Sequence, residues 1–115
     1  ANDGAKVDNS VARYKALVFG DAGSATDFGD AISSGANVFS VKLNVTAAFD
    51  AGATIKVGKT GTDDYFGTFS AADVSSVNLF ELSRGIRLDA DTQCTFTITG
   101  SPTTGAASLF VIPSA

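Results

Sequence analysis

A chain of 115 residues and 11.6 kDa fits one domain, and at this size folding buries roughly two-thirds of the unfolded surface. Twelve Asp and Glu against eight Lys and Arg give a net charge of −4 and a pI near 4.4, a balance that repels the phosphates of nucleic acid. With no histidine and one cysteine, Cys94, the chain lacks the commonest general base, the commonest transition-metal ligand and any internal disulfide.

Residues 1–10, ANDGAKVDNS, are polar with Val7 as the one apolar anchor, and are expected to form a flexible N-terminal arm ahead of a single domain over residues 11–115. Residues 11–19, VARYKALVF, place Tyr14, Ala16 and Val18 in alternation with Lys15, Leu17 and Phe19. The Ala and Leu content also suits a short helix, but the turn GDAGS follows at once, and a strand is preferred. Residues 20–37 read as loop. Asp21, Asp27 and Asp30 are too widely spaced for a calcium loop, which gathers its oxygens at alternate positions, and are expected to serve as turn formers.

From residue 36 to 67 the pattern is clearest. Phe39, Val41, Leu43 and Val45 alternate with Ser40, Lys42, Asn44 and Thr46, and after AAFDAG the apolar set Ala53, Ile55 and Val57 resumes. Two strands are expected, paired with each other, with Phe39, Val41, Leu43, Val45, Ile55 and Val57 in the core. Gly58-Lys59-Thr60 has the ending of a phosphate-binding loop, but that motif needs a glycine where Ala53 stands, so the tripeptide is expected to be a strand end and turn. KTGTDD then reads as a polar turn.

SAADVSS at residues 70–76 suits a brief helical turn or loop. VNLFEL at residues 77–82 carries Val77 and Leu79 on one side and Phe80 and Leu82 on the other, so this strand is expected to face the core with one side and a neighbouring subunit with the other. SRG reads as a turn, and Ile86 and Leu88 precede a bend at Asp89 and Asp91. TQCTFTIT at residues 92–99 aligns Cys94, Phe96 and Ile98 on one face, making the thiol buried and inert, while its threonines are expected on an exposed sheet surface. After GSPTTG, AASLFVI forms the closing strand, which Pro113 is expected to stop. Seven to eight strands at spacings of about ten residues describe an all-β antiparallel sandwich or jelly roll.

Little in this inventory is reactive. Asp63 with Asp64 and Asp89 with Asp91 are carboxylate pairs, yet adjacent aspartates among Gly and Thr form turns, whereas glycosidases set two carboxyls across a sugar from separate strands. Asn44-Val45-Thr46 matches a glycosylation triplet inside a strand, with no secretory pattern ahead of it. No apolar run approaches the ~20 residues of a membrane span. No cofactor, metal, nucleic acid or membrane is expected, and the chain is expected to present a surface rather than to catalyse. Sugar binding through exposed aromatics is the alternative, with Tyr14, Tyr65 and Phe66 as candidates, although tryptophan is absent.

Two segments, NVTAAFDAGATIKVGKTGTDDYFGTF and CTFTITGSPTTGAASLFVI, resemble small proteins encoded among the head genes of tailed bacteriophages, the capsid decoration or cement proteins. The resemblance spans residues 38–112 loosely and is sharp at N-V-T-x-A-F with G-A-T and at T-G-S-P-T-x-G. It implies a jelly roll that associates with itself as a dimer or trimer and docks on the capsid exterior, bridging major capsid proteins, in a virion assembled in the host cytoplasm. The residues expected to meet partners are then Val7, Val11, Tyr14, Tyr65, Phe66, Phe80 and Leu82. The alternative carries over as a glycan-binding sandwich of a phage tail or fibre.

Overall fold

Alternating β-branched and aromatic residues, broken every few positions by Gly, Asp and Pro, give the chain strands and little else. The computed structural model describes residues 12–114; the arm expected over residues 1–10, with Val7, and also Val11, lie outside the described residues. The strands are β1 (Arg13–Val18), β2 (Thr26–Asp27), β3 (Asn37–Ala47), β4 (Thr54–Lys59), β5 (Thr62–Phe69), β6 (Asn78–Arg87), β7 (Cys94–Thr99) and β8 (Ala106–Ser114), with a 3-10 turn (Phe19–Asp21) after β1 and one α-helical turn, α1 (Ala71–Val74), between β5 and β6. The turn at α1 has a local cause. Ser70 accepts from the Asp73 N–H at 3.2 Å while the Asp73 carboxylate accepts from the Ser70 N–H at 3.3 Å, a reciprocal cap that satisfies two otherwise orphaned donors.

The strands form two four-stranded sheets, ordered β1-β8-β3-β6 and β2-β7-β4-β5. The pairings β1 with β8, β2 with β7, β3 with β6 and β4 with β5 are all antiparallel. First pairs with last, second with next to last, and so inward, which is what results when one long antiparallel ribbon is rolled up on itself. The expected all-β sandwich is therefore a jelly roll.

Val41, Leu43, Val45, Leu109 and Val111 of one sheet meet Ile55, Val57, Phe69, Phe96 and Ile98 of the other, all essentially without exposure. Each such side chain contributes roughly 1.5–3 kcal/mol by leaving water. Cys94 belongs to this core. Burial pushes its thiol from the ordinary 9.0 up to about 11, against a smaller lowering from Arg13.

Several expectations require correction. β3 and β4 do not pair but stand in opposite sheets; residues 48–53 carry the chain across one end of the sandwich, where Phe49 is buried and its N–H reaches the Val74 carbonyl at 2.8 Å. Phe39 is not core: it is 54% exposed and Val38 takes the inner position. Two steps along β3, from Val38 to Ser40, match one along β8, from Pro113 to Ile112, so Phe39 is the extra residue of a bulge and the alternation changes phase there. Ser83, Arg84 and Gly85 do not turn the chain but lie within β6, where three steps from Ile86 to Ser83 oppose two of β3. β6 is accordingly an edge strand with a bulge.

Nor does Pro113 stop β8, which runs on to Ser114. Its last residues stay in register with β3, Pro113 opposite Val38 and Ser114 opposite Asn37. Finally, the loop over residues 20–37 contains β2 and a bridge in which Ile32 and Thr92 exchange two backbone hydrogen bonds of 2.8 Å. Buried Arg13 holds this loop from beneath, donating from Nε to the Asp30 carbonyl at 2.8 Å and from Nη2 to the Ala31 carbonyl at 3.1 Å.

Candidate functional site

The two outer surfaces of the sandwich differ in chemistry. Register partners stand side by side on one face of a sheet, so the outward rows of β1-β8-β3-β6 can be read across the strands. They run Tyr14, Phe110, Lys42, Glu81, then Ala16, Ser108, Asn44, Leu79, with Val18 and Ala106 beyond at one end and Ile112, Ser40, Ser83 at the other. Tyr14 is 51% and Leu79 61% exposed, and the Tyr14 and Phe110 rings lie 5.0 Å apart between centroids. The face thus carries an apolar patch on β1 and β8, Tyr14, Ala16, Val18 and Phe110, with Leu79 exposed on β6 beyond the polar Lys42, Glu81, Ser108 and Asn44. The helical turn α1 lies against β4 instead.

The outer surface of β2-β7-β4-β5 is built from hydroxyls. Thr54 stands beside Thr99, Lys56 between Thr97 and Thr68, and Gly58 beside Thr95. The expectation that the β7 threonines are exposed fails: Thr95 is 3% and Thr97 7% exposed, and neither Oγ1 has a hydrogen-bond partner among the described residues. Part of the cause is the β5 edge. Between Gly67 and Thr62 it spends five steps against two of β4, and this excursion brings the Thr62 and Asp63 backbone over Gly58, into the space a Cβ would fill.

A third feature is a cleft of about 230 Å³ at the end of the sandwich where β4 turns into β5, lined by Lys59, Thr60, Tyr65 and residues 88–93. Lys59 closes β4, and Thr60 and Gly61 are the two residues between it and its register partner Thr62. Gly61, at φ 89°, supplies the left-handed conformation that such a tight turn requires. Gly58-Lys59-Thr60 is therefore a strand end and hairpin, as expected. The walls are tied together: Thr60 N–H donates to the Gln93 carbonyl at 3.3 Å, Ser34 N–H to Asp91 Oδ1 at 2.9 Å, and Gln93 Nε2 to the Phe28 and Gly29 carbonyls at 3.0 Å each. Lys59 Nζ sits 4.1 Å above the Tyr65 ring centroid.

The residues expected to meet partners are scattered. Tyr14 is on the apolar face and Tyr65 is at the cleft. Phe66 is fully buried, its ring 5.2 Å from that of Tyr65, while Phe80 and Leu82 point inward as half-buried neighbours of the core. The exposed large apolar residues that sequence reasoning did not single out for partners are Val18, Phe19, Phe39, Val77 and Leu79. For Val18 and Leu79 the signal was present as the second apolar set of their strands, but choosing between the two sets requires knowing which one the opposite sheet covers; Phe19 and Val77 lie outside the strands, and Phe39 is displaced by its bulge. Among the described residues no three His, Cys, Asp or Glu side chains gather to hold a metal ion.

The sequence matches no protein-family model and no curated protein. The fold is similar to that of a chain in the acidic stable capsid structure of Helicobacter pylori bacteriophage KHP30, with a TM-score of 0.74 and 19% identity over 91% of this chain and 86% of that one. It is also similar to a chain in the capsid asymmetric unit of cyanophage Pam1, with a TM-score of 0.61 and 18% identity over 90% of this chain and 83% of that one.

Proposed function

We propose that this jelly roll is a non-enzymatic structural protein of a phage virion, a cement protein that binds the outer surface of the capsid and bridges major capsid proteins. The observation that carries the reading is the contrast between the two outer surfaces. A sandwich meant to remain alone in water has no need for Tyr14, Val18, Leu79 and Phe110 on one outward sheet, and an exposed apolar face is how soluble proteins mark a docking surface. The fold similarity to chains in two phage capsid structures supports the identity of the partner.

On this reading the β1-β8-β3-β6 face lies toward the shell and the hydroxyl face toward solvent. Burial of apolar area at ~25 cal/mol per Å², repeated at every equivalent position of a shell, resists internal pressure through multiplicity. Self-association into a dimer or trimer would add avidity to each attachment. The N-terminal arm serves as a further tether. The test is to mix purified protein with undecorated capsids of its phage: saturable, symmetry-related occupancy and a raised rupture temperature are expected, and absence of binding would overturn the proposal. Deleting residues 1–10 should leave the isolated fold intact and weaken attachment; unchanged attachment would remove the arm from the account.

A further inference from the structure

The cleft between the β4–β5 hairpin and residues 88–93 plays no part in docking through the β1-β8-β3-β6 face. We propose that it is a binding site for a neutral pyranose sugar, held by hydrogen bonds to its hydroxyls rather than by stacking. Its volume of about 230 Å³ lies below the range of ~300–1,000 Å³ occupied by larger ligands and is far above the ~30 Å³ share of one water. One sugar ring is the size of guest it admits.

The chemistry of the lining points the same way. Lys59, Thr60 and Tyr65 bring donors, and Asp89 and Asp91 bring acceptors. The Asp89 carboxylate, the Lys59 ammonium and the Tyr65 hydroxyl have no hydrogen-bond partner among the described residues, while Asp91 uses one carboxylate oxygen on the Ser34 N–H. Closely spaced donors and acceptors match adjacent hydroxyls, each of which both donates and accepts. One ammonium against two carboxylates leaves the cleft negative, so anionic sugars are disfavoured.

Lys59 competes with stacking: its ammonium lies over one face of the Tyr65 ring, 4.1 Å from the centroid, so on that face a sugar meets Tyr65 at its hydroxyl. The walls are already fixed by the Thr60–Gln93 and Ile32–Thr92 backbone hydrogen bonds and by the Ser34 N–H on the Asp91 carboxylate, so binding demands little ordering of the protein. A single shallow site of this kind binds weakly, and an array of copies would convert that into avidity.

Titrating ¹⁵N-labelled full-length protein with glucose, galactose, mannose, N-acetylglucosamine and sialic acid tests the site. At least one neutral sugar should shift the amides of Lys59, Thr60, Tyr65 and residues 88–93, with sialic acid weaker. Asp89→Asn, whose side chain makes no contact the fold depends on, should lower affinity roughly tenfold, the effect of losing one hydrogen bond to a charged group, and Tyr65→Phe should also weaken binding. Attachment of Asp89→Asn to capsids should be unchanged, which separates this site from the docking face. No shifts with any of the five sugars, shifts centred elsewhere, a preference for sialic acid, or full affinity in Asp89→Asn would each overturn the proposal.

Discussion

The carboxylate of Asp50 accepts both the backbone N–H and the hydroxyl of Thr103, each at 2.6 Å, and the N–H of Thr104 at 3.2 Å. Asp50 lies in AAFDAG and Thr103 in GSPTTG, 53 residues apart, so the two segments that carry the family resemblance are joined at one end of the sandwich. The same connections meet again where the Phe49 ring occupies the place a side chain at Gly105 would need.

Asp50 should therefore act as an acid-sensitive latch. Hydrogen bonds from Thr103 hold its carboxyl below the ordinary 3.8, and a depressed carboxyl stabilises the fold above its unfolded value and loses that contribution as pH falls through the folded one. Asp50→Asn should melt at a lower temperature than the wild type at neutral pH, and the gap should narrow below pH 3.8. Thermal melts of both proteins across that range check it; a gap independent of pH would show that the charge is irrelevant.

Gly58→Ala should be more damaging than an ordinary strand substitution. The added methyl collides with the backbone of Thr62 and Asp63, which cannot yield as a flexible side chain would, so a loss of about 1–3 kcal/mol or more is expected. Chemical denaturation measures it, with Gly85→Ala, which meets nothing within 4 Å, as the mild comparison.

Cys94 should be silent toward thiol reagents in the native protein and reactive in denaturant, because a fully buried thiol held near 11 presents almost no thiolate at neutral pH. The raised value also has a direction. Its contribution to stability is complete below 9.0, the ordinary thiol value, and is lost as pH rises toward about 11. Ellman titration and alkaline melts of wild type and Cys94→Ala test both statements.

Substitutions on the docking face should separate folding from attachment. Tyr14→Asp and Leu79→Asp alter side chains that are 51% and 61% exposed, so melting should change little while capsid binding falls. Thr68→Asp, on the opposite surface, should leave attachment intact. Co-sedimentation with undecorated capsids reads all three.

Strand positions were legible because alternation is local. Strand partners were not, since the same pattern at Val41 and at Ile55 says that each has an inner face without saying that the faces oppose one another. Bulges hid for a related reason. Phe39 fits a regular alternation with Val41, and only the pairing with β8 reveals the extra residue; Ser83-Arg84-Gly85 carries turn chemistry that β6 uses to bulge. Thr95 and Thr97 looked solvent-facing because β-branched polar residues suit a wet sheet, and no local signal marked the excursion of β5 that helps to cover them. The cleft joins Lys59 to Asp89, and the Asp50 latch joins two turns, both through contacts between distant segments.

The most direct measurement is an electron-microscopy map of the parent particle at a resolution that shows strands. The account predicts the eight-stranded sandwich on the capsid exterior, with Tyr14, Phe110 and Leu79 against the shell and Thr54, Thr68 and Thr99 toward solvent. A sandwich found in the tail or fibres, or one seated on the capsid by its hydroxyl face, would contradict it.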